Sequence, residues 1–484
     1  ESKNLLLISI AQTRRFFSIG SRRFNLQRVR SSLHSLQRVQ GICATCGERE
    51  VPSPLTASAE FPVPLTMNAR PSLNSNRDTR TNSLFKIGFV RYNDSMIQRK
   101  IKETFLHALQ FYPITILTGP RQSGKSTFLK NSLPDWNYIS LEDPDIREFC
   151  KTDPRGFLSS HPEHSIIDEA QRVPELFSYL QTQVDKSGES GQYVLSGSQN
   201  FQLMKSISQS LAGRCAVLKL LPFSQKELQS ARLLPKDVYE YIYTGGYPRI
   251  YDKHIPPARY YADYFETYVQ RDIRNLENIG DLLLFTRFIK LCAGRIGQLV
   301  NISSLANDCG ISSTTATRWL SLLETSFIIY KLKPDFRNFS KRLMKAPKLY
   351  FTDTGLACYL LGLKNAEQLA FHYLRGNLFE NTVINAFVYN EYNRGNEPDF
   401  SYWRDKTGLE IDLLKTGITQ DGTETIEAYE IKSGETMSFD YFSNMEKWAK
   451  LPGNTRNAKT VIYAGKKRFA TKYGTVIPWN KVFN

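Results

Sequence analysis

Gly119-Pro120-Arg121-Gln122-Ser123-Gly124-Lys125-Ser126-Thr127 is the stretch that decides how this chain is read. Gly119, Gly124, Lys125 and Ser126 satisfy G-x-x-x-x-G-K-[ST], a phosphate-cradling loop. The residues on either side supply the context such a loop needs. Ile114-Thr115-Ile116-Leu117-Thr118 is a short apolar run that reads as a buried strand, and Phe128 and Leu129 open an apolar helix. Glycine lets backbone N–H groups approach a phosphate closely, at a helix N-terminus that already favours negative charge. Lys125 adds a cation for the same oxygens, and the Ser126 hydroxyl suits Mg²⁺. ATP with Mg²⁺ is the expected ligand, held by Gly119 through Thr127.

Ser165-Ile166-Ile167-Asp168-Glu169-Ala170-Gln171 follows as a second apolar strand, ending in two carboxylates. After a phosphate loop it reads as a Walker B element. Asp168 is then expected in the Mg²⁺ shell, with Glu169 polarising the attacking water. The competing reading is a strand-to-helix turn with acidic capping. Gln192–Ser198 reads as a further buried strand with a polar end. This end resembles that of additional-strand P-loop ATPases, where a polar residue meets the γ-phosphate or the water; the resemblance implies Ser198, or alternatively Gln199, against an ordinary Ser/Gly turn.

Taken in order, GPRQSGKST, LEDPD, IIDEAQ, LSGSQN, SLAGR and LPFSQKEL resemble the AAA-type ATPases of bacteria and archaea that carry a C-terminal domain of unknown function. GGYP at Gly245–Pro248, YFETYVQRDIRNL at Tyr264–Leu276, FTDTGL at Phe351–Leu356 and GNLFEN at Gly376–Asn381 extend the resemblance from Met96 to about residue 470. It implies a role for Arg214 as an arginine finger, in its own subunit or a neighbour's, with a structural ion pair as the alternative. A homo-oligomer is expected.

Residues 229–370 are mostly helical by pattern. Ser303–Ser312 followed by Thr314–Leu323 has the spacing of a helix-turn-helix, with Thr315 and Arg318 on the second helix. Lys331, Lys333, Arg337, Lys341, Arg342, Lys345 and Lys348 follow as a basic wing. DNA contact, chiefly to the backbone, stands beside plain helix packing as the reading.

Farther on, Phe379-Glu380 lies on an apolar helix, and Leu409–Leu414 and Ala428–Lys432 read as paired strands. A helix carboxylate, a strand Asp and Glu-x-Lys on its partner resemble the restriction-endonuclease (PD-(D/E)xK) core. That resemblance implies Glu380, Asp412 and Glu430 as Mg²⁺ ligands and Lys432 beside the attacking water. The proline of the motif is absent, since Ile411 precedes Asp412, and a surface hairpin of mixed charge is the alternative.

The 484 residues carry a net charge of +16, but residues 1–95 hold fourteen Lys and Arg against six Asp and Glu. Half the basicity therefore sits in one segment, and the total says little about the rest. Residues 2–47 contain no acid and are Ser- and Arg-rich, as an organelle transit peptide is. The chain starts with Glu, whereas Met96 opens MIQRKIKETFLHALQ like a natural start, so residues 1–95 are expected to be a disordered or non-native extension. Cys43 and Cys46, the one close pair among seven cysteines, have no partner pair to complete a zinc site. No apolar run reaches the roughly 18–20 residues of a membrane span, and a cytoplasmic location is expected.

The expected architecture is α/β: a parallel-sheet, AAA-type ATPase domain at 96–228, a helical and winged-helix-like region at 229–370, and an endonuclease-like α/β domain at 371–484. ATP hydrolysis driving the attached domains is the leading function. The rivals are a nuclease regulated by ATP and a nucleotide-dependent scaffold or switch binding other proteins.

Overall fold

Strand β1 (Ile114–Thr118) is buried at every residue, as a strand covered on both faces must be. Its side chains alternate between two layers. Ile114 and Ile116 pack with Phe177 and Leu180 on one side, while Leu117 meets Phe105, Phe128 and Leu129 on the other. Burying each such side chain contributes about 1.5–3 kcal/mol. β2 (Asn137–Ser140), β3 (Ser165–Asp168), β4 (Tyr193–Gly197) and β5 (Cys215–Lys219) complete a parallel sheet in the order β2-β3-β4-β1-β5. The strand that carries the acidic pair is thus separated from the strand that feeds the glycine loop by β4. All of these strands point their C-terminal ends at one edge, where open α/β sheets bind ligands.

The structure is a computed structural model that describes residues 96–198, 210–273, 281–335, 346–418, 422, 424–451, 454 and 457–483, with side chains from 270 to 273 left aside. The expected extension at 1–95, with Cys43 and Cys46, lies outside the described residues, as do Gln199, Arg337, Lys341, Arg342 and Lys345. No helix among the described residues is long and apolar enough to cross a membrane.

The second sheet has eight strands: β6 (Ile329–Pro334), β7 (Lys348–Phe351), β8 (Phe400–Arg404), β9 (Glu410–Ile418), β10 (Glu424–Lys432), β11 (Asn457–Tyr463), β12 (Phe469–Thr471) and β13 (Gly474–Pro478). Their order is β12-β13-β11-β10-β9-β8-β6-β7. Here the structure departs from the expected basic wing. β6 and β7 form an antiparallel pair, but β6 also runs parallel to β8 through Lys333↔Ser401 and Pro334↔Tyr402. The strands read as a wing are therefore the edge of the larger sheet. β7 is buried throughout, because Leu349, Tyr350 and Phe351 belong to the main apolar core.

Between the sheets, the helices Ile302–Cys309 and Ser313–Thr325 are joined through Gly310, which adopts φ +79°. Asn301 and Ser312 cap them by accepting the N–H groups of Ser304 and Thr315. Ala316, Trp319, Leu320 and Leu323 face the core, and Arg318 is exposed. The helix–turn–helix expected from the spacing is present as a packed unit. Lys331 is engaged with Glu324 at 2.7 Å.

Candidate nucleotide site

Gly119 follows β1 directly with φ +151°, and a Cβ there would lie 2.1 Å from the Leu220 carbonyl oxygen. Only glycine fits so close to the neighbouring backbone. Gly124, at φ +91°, then turns the chain into the helix Lys125–Ser132. The loop therefore presents backbone N–H groups at a helix start, where an anion is stabilised.

Lys125 is 6% exposed, and its Nζ donates to the carbonyls of Gly119 (2.9 Å) and Pro120 (3.0 Å). Burial pulls its ammonium down to about 8; Glu169 and Asp168 pull it back up, and Arg121 pushes it down again. The lysine is desolvated but still mainly charged at neutral pH.

Asp168 is the centre of a hydroxyl network. Ser126 Oγ donates to its Oδ2 at 2.7 Å, Tyr138 donates to the same oxygen, and Ser196 donates to Oδ1. Burial alone raises this carboxyl, but the bonds from Ser196, Tyr138 and Ser126, with the Lys125 charge, bring it below its ordinary value. Glu169 takes the left-handed φ of +56°, which costs a non-glycine residue about 1–2 kcal/mol. Its own N–H donates to Asp168 Oδ1 (3.1 Å), Gln171 Nε2 donates to its Oε2, and Ser198 Oγ donates to the same Oε2 at 3.2 Å. Glu169 is thus held between Gln171 and Ser198 at the C-terminal ends of β3 and β4.

Lys125, Ser126, Asp168, Glu169 and Ser198 are thus brought together. These residues fit a nucleotide with Mg²⁺, since a hydroxyl hydrogen-bonded to a carboxylate is the oxygen donor set a hard divalent cation takes. Tyr138 and Ser196 escaped the sequence reading. They reach Asp168 from β2 and β4 through the parallel register, which no local pattern announces. Arg99 escaped it too: its guanidinium bonds Glu227 Oε1 (3.0 Å), the Ser123 carbonyl (2.9 Å) and the Leu221 carbonyl, bracing the loop from below.

Arg214 is not part of this group. It immediately precedes β5, whose first residue pairs with Ile114 at the start of β1, so it lies at the opposite edge of the sheet. The five residues of β1 separate that level from Gly119, about 20 Å over six steps. Its Nε donates to Asp185 Oδ1 at 2.5 Å. The expectation of a finger in its own subunit is corrected by this geometry.

The C-terminal set is brought together differently from the expectation. Asp412 on β9 accepts the Ile431 N–H (2.8 Å), and Lys432 Nζ donates to Glu430 Oε1 (2.5 Å). Into the same place comes Lys348, 2% exposed, whose Nζ donates to Glu380 Oε1 (2.8 Å), pairs with Glu410 and lies 3.9 Å from Asp412 Oδ1. Burial opposes the Lys348 charge, but Glu380, Asp412 and Glu410 outweigh it and hold the ammonium above its ordinary value. Glu430, 3% exposed, is pushed up to about 8 by burial and by Asp412, with Lys432 pulling the other way. Among the described residues no group of three or more His, Cys, Asp or Glu side chains is spaced to hold a metal ion. The Lys348 ammonium thus stands between Glu380 and Asp412, two of the three carboxylates expected as a Mg²⁺ shell.

The phosphate loop, the hydroxyl-bound Asp168 and the β2-β3-β4-β1-β5 parallel sheet define a P-loop ATP-binding protein of AAA type, and residues 112–229 match an AAA domain. Residues 235–367 and 375–482 match two domains of unknown function, DUF8612 and DUF4143. The proteins Mb2031c of Mycobacterium bovis and Rv2008c of Mycobacterium tuberculosis are each 30% identical over 334 residues, 67% of this chain and 72% of theirs. This chain belongs to the family of those mycobacterial proteins. A Haemophilus influenzae protein is 27% identical over 289 residues, 52% of this chain and 70% of its own. Among solved structures, a Walker-type ATPase of Pyrococcus abyssi aligns with a TM-score of 0.39 at 15% identity, covering 55% of this chain and 96% of that one. The ADP form of ORC2 from Aeropyrum pernix aligns with a TM-score of 0.26 at 14% identity, covering 48% and 85%.

Proposed function

We propose that the chain is a Mg²⁺-dependent ATPase whose nucleotide cycle moves the helix-turn-helix unit and the C-terminal sheet. The observation that carries this is the Ser126–Asp168 hydrogen bond of 2.7 Å beside the buried Lys125, with Glu169 held in its strained turn. When bound, Mg²⁺ would neutralise phosphate charge and ATP would supply the phosphoryl group. Loop N–H groups and Lys125 would hold the phosphates, and Ser126 with Asp168 would hold the cation. Glu169, steadied by Ser198 and Gln171, draws a proton from water. Steady-state ATPase measurement with Mg²⁺, with and without DNA or RNA, tests the reading. Lys125→Ala should abolish both turnover and nucleotide binding; retained high-affinity binding would overturn it.

Two features favour action on DNA, to which the protein would bind as a homo-oligomer. One is the exposed Arg318, with Thr315, on the second helix of the helix–turn–helix. The other is the Asp412–Glu430–Lys432 arrangement, in which Glu430 Oε2 is buried with no hydrogen-bond partner. An ATP-regulated nuclease would nick supercoiled plasmid with Mg²⁺ and lose this activity in Asp412→Ala. ATP binding without turnover or nicking would favour a nucleotide-dependent scaffold.

A further inference from the structure

Arg99 stands just before the helix Lys102–Phe111, and its side chain is only 7% exposed. A guanidinium so buried is tolerated where its donors are taken. Nε donates to Glu227 Oε1 (3.0 Å), Nη1 to the Ser123 carbonyl (2.9 Å), and Nη2 to the carbonyls of Leu221 and Pro222. Cζ also lies 5.0 Å from the centre of the Phe223 ring, within cation–π range. Glu227 is as fully engaged. Its Oε1 accepts the Lys100 N–H as well (2.8 Å), and its Oε2 accepts the N–H (2.7 Å) and hydroxyl (2.9 Å) of Ser224. Ser224 caps the helix Gln225–Ser230 with Glu227 as the reciprocal partner, so the carboxylate is fixed before it meets the arginine.

A structural ion pair explains Nε and Glu227. It does not explain Nη1, which reaches past the pair into the phosphate loop. A planar trans peptide carries its C=O and the following N–H on opposite sides. With the Ser123 carbonyl drawn onto Arg99, the Gly124 N–H must point away from Arg99. Gly124 has φ +91° and opens the helix Lys125–Ser132, and a Cβ on it would lie 3.7 Å from Arg99 Nη1. Glycine accepts both signs of φ, so the Ser123–Gly124 peptide has no steric reason of its own to keep this orientation. The guanidinium supplies one.

We infer that Arg99 is a positioning residue for nucleotide binding: it holds the Ser123 carbonyl beneath the loop and so turns the Gly124 N–H to the face where the phosphates bind. The inference rests on the nucleotide-binding part of the ATPase reading above. Arg99→Met combined with Glu227→Gln tests it in the full chain. The pair is removed without leaving a lone buried charge, and glutamine keeps the capping box. The variant should melt near the parent's midpoint, while its Kd and KM for ATP rise about tenfold to hundredfold, as expected when one bond to a charged group is lost. Its kcat should stay within about threefold of the parent's, because the lost contact serves bound substrate and transition state alike. In Arg99→Ala, millimolar ethylguanidinium should bring Kd back toward the parent value, and it should leave the parent unchanged. A folded double variant with parent-like Kd, or one whose kcat falls while Kd holds, would overturn the inference. So would loss of the fold in both variants, which would make Arg99 a folding residue. Absence of Lys125-dependent ATP binding in the parent would refute the nucleotide reading itself. A parent that binds ATP without turnover would refute hydrolysis alone, and the Kd comparison would still decide the role of Arg99.

Discussion

Raising the pH above 8 should weaken ATP binding in a defined way. The Lys125 ammonium is buried among loop carbonyls, and burial brings it down to about 8. The phosphates of ATP favour the charged form, so above that value binding must recapture a proton. About nine-tenths of the free protein lacks that proton at pH 9 and nearly all of it at pH 10, so the dissociation constant should rise about tenfold per pH unit, or ~1.4 kcal/mol. Calorimetry at pH 9 in two buffers of different ionisation enthalpy should report uptake of about one proton per ATP bound. The stability of the nucleotide-free protein should move the opposite way. Between about 8 and the ordinary lysine value the unfolded chain binds a proton that the fold excludes, so stability rises with pH across that window. An affinity that stays flat from pH 7 to 10, or a proton uptake near zero at pH 9, would refute the reasoning.

Glu169→Gln should leave ATP affinity nearly unchanged while turnover falls by about 10²–10⁴, as measured by single-turnover hydrolysis. Arg214→Ala should hydrolyse ATP at the parent rate in a coupled assay, since its side chain is held by Asp185 at the far edge of the sheet. Lys348→Met should lower stability at pH 7 by about 3–5 kcal/mol, because it strands a buried carboxylate cluster. The Glu380 carboxyl is already held above its ordinary value, by burial first, so the deficit should shrink as the pH falls and that group takes a proton. Urea unfolding at pH 7 and 5 reads both effects.

The phosphate loop and Asp168-Glu169 were legible because they are local: strand, loop and helix follow one another, and the chemistry depends on adjacent residues. What was not legible depends on register or on burial. Ser196 meets Asp168 only because β3 and β4 lie side by side. Lys348 looked like one more cation in a basic run, yet it is a buried counter-charge for Glu380 and Glu410, and a run of lysines carries no sign of which one turns inward. Arg214 lies away from the loop of its own subunit for a readable reason. A residue directly before an apolar strand parallel to β1 belongs at the edge away from the loop.

The eight-stranded sheet also bears on how such a chain can be inherited. The stretches matching the two domains of unknown function meet between residues 367 and 375, yet β6 and β7 from the first complete the sheet of the second. A recombination breakpoint at that seam would sever strand pairing and separate Lys348 from Glu380. Residues 375–484 on their own would lack the β6 and β7 edge of their sheet and the lysine that pairs with Glu380 and Glu410.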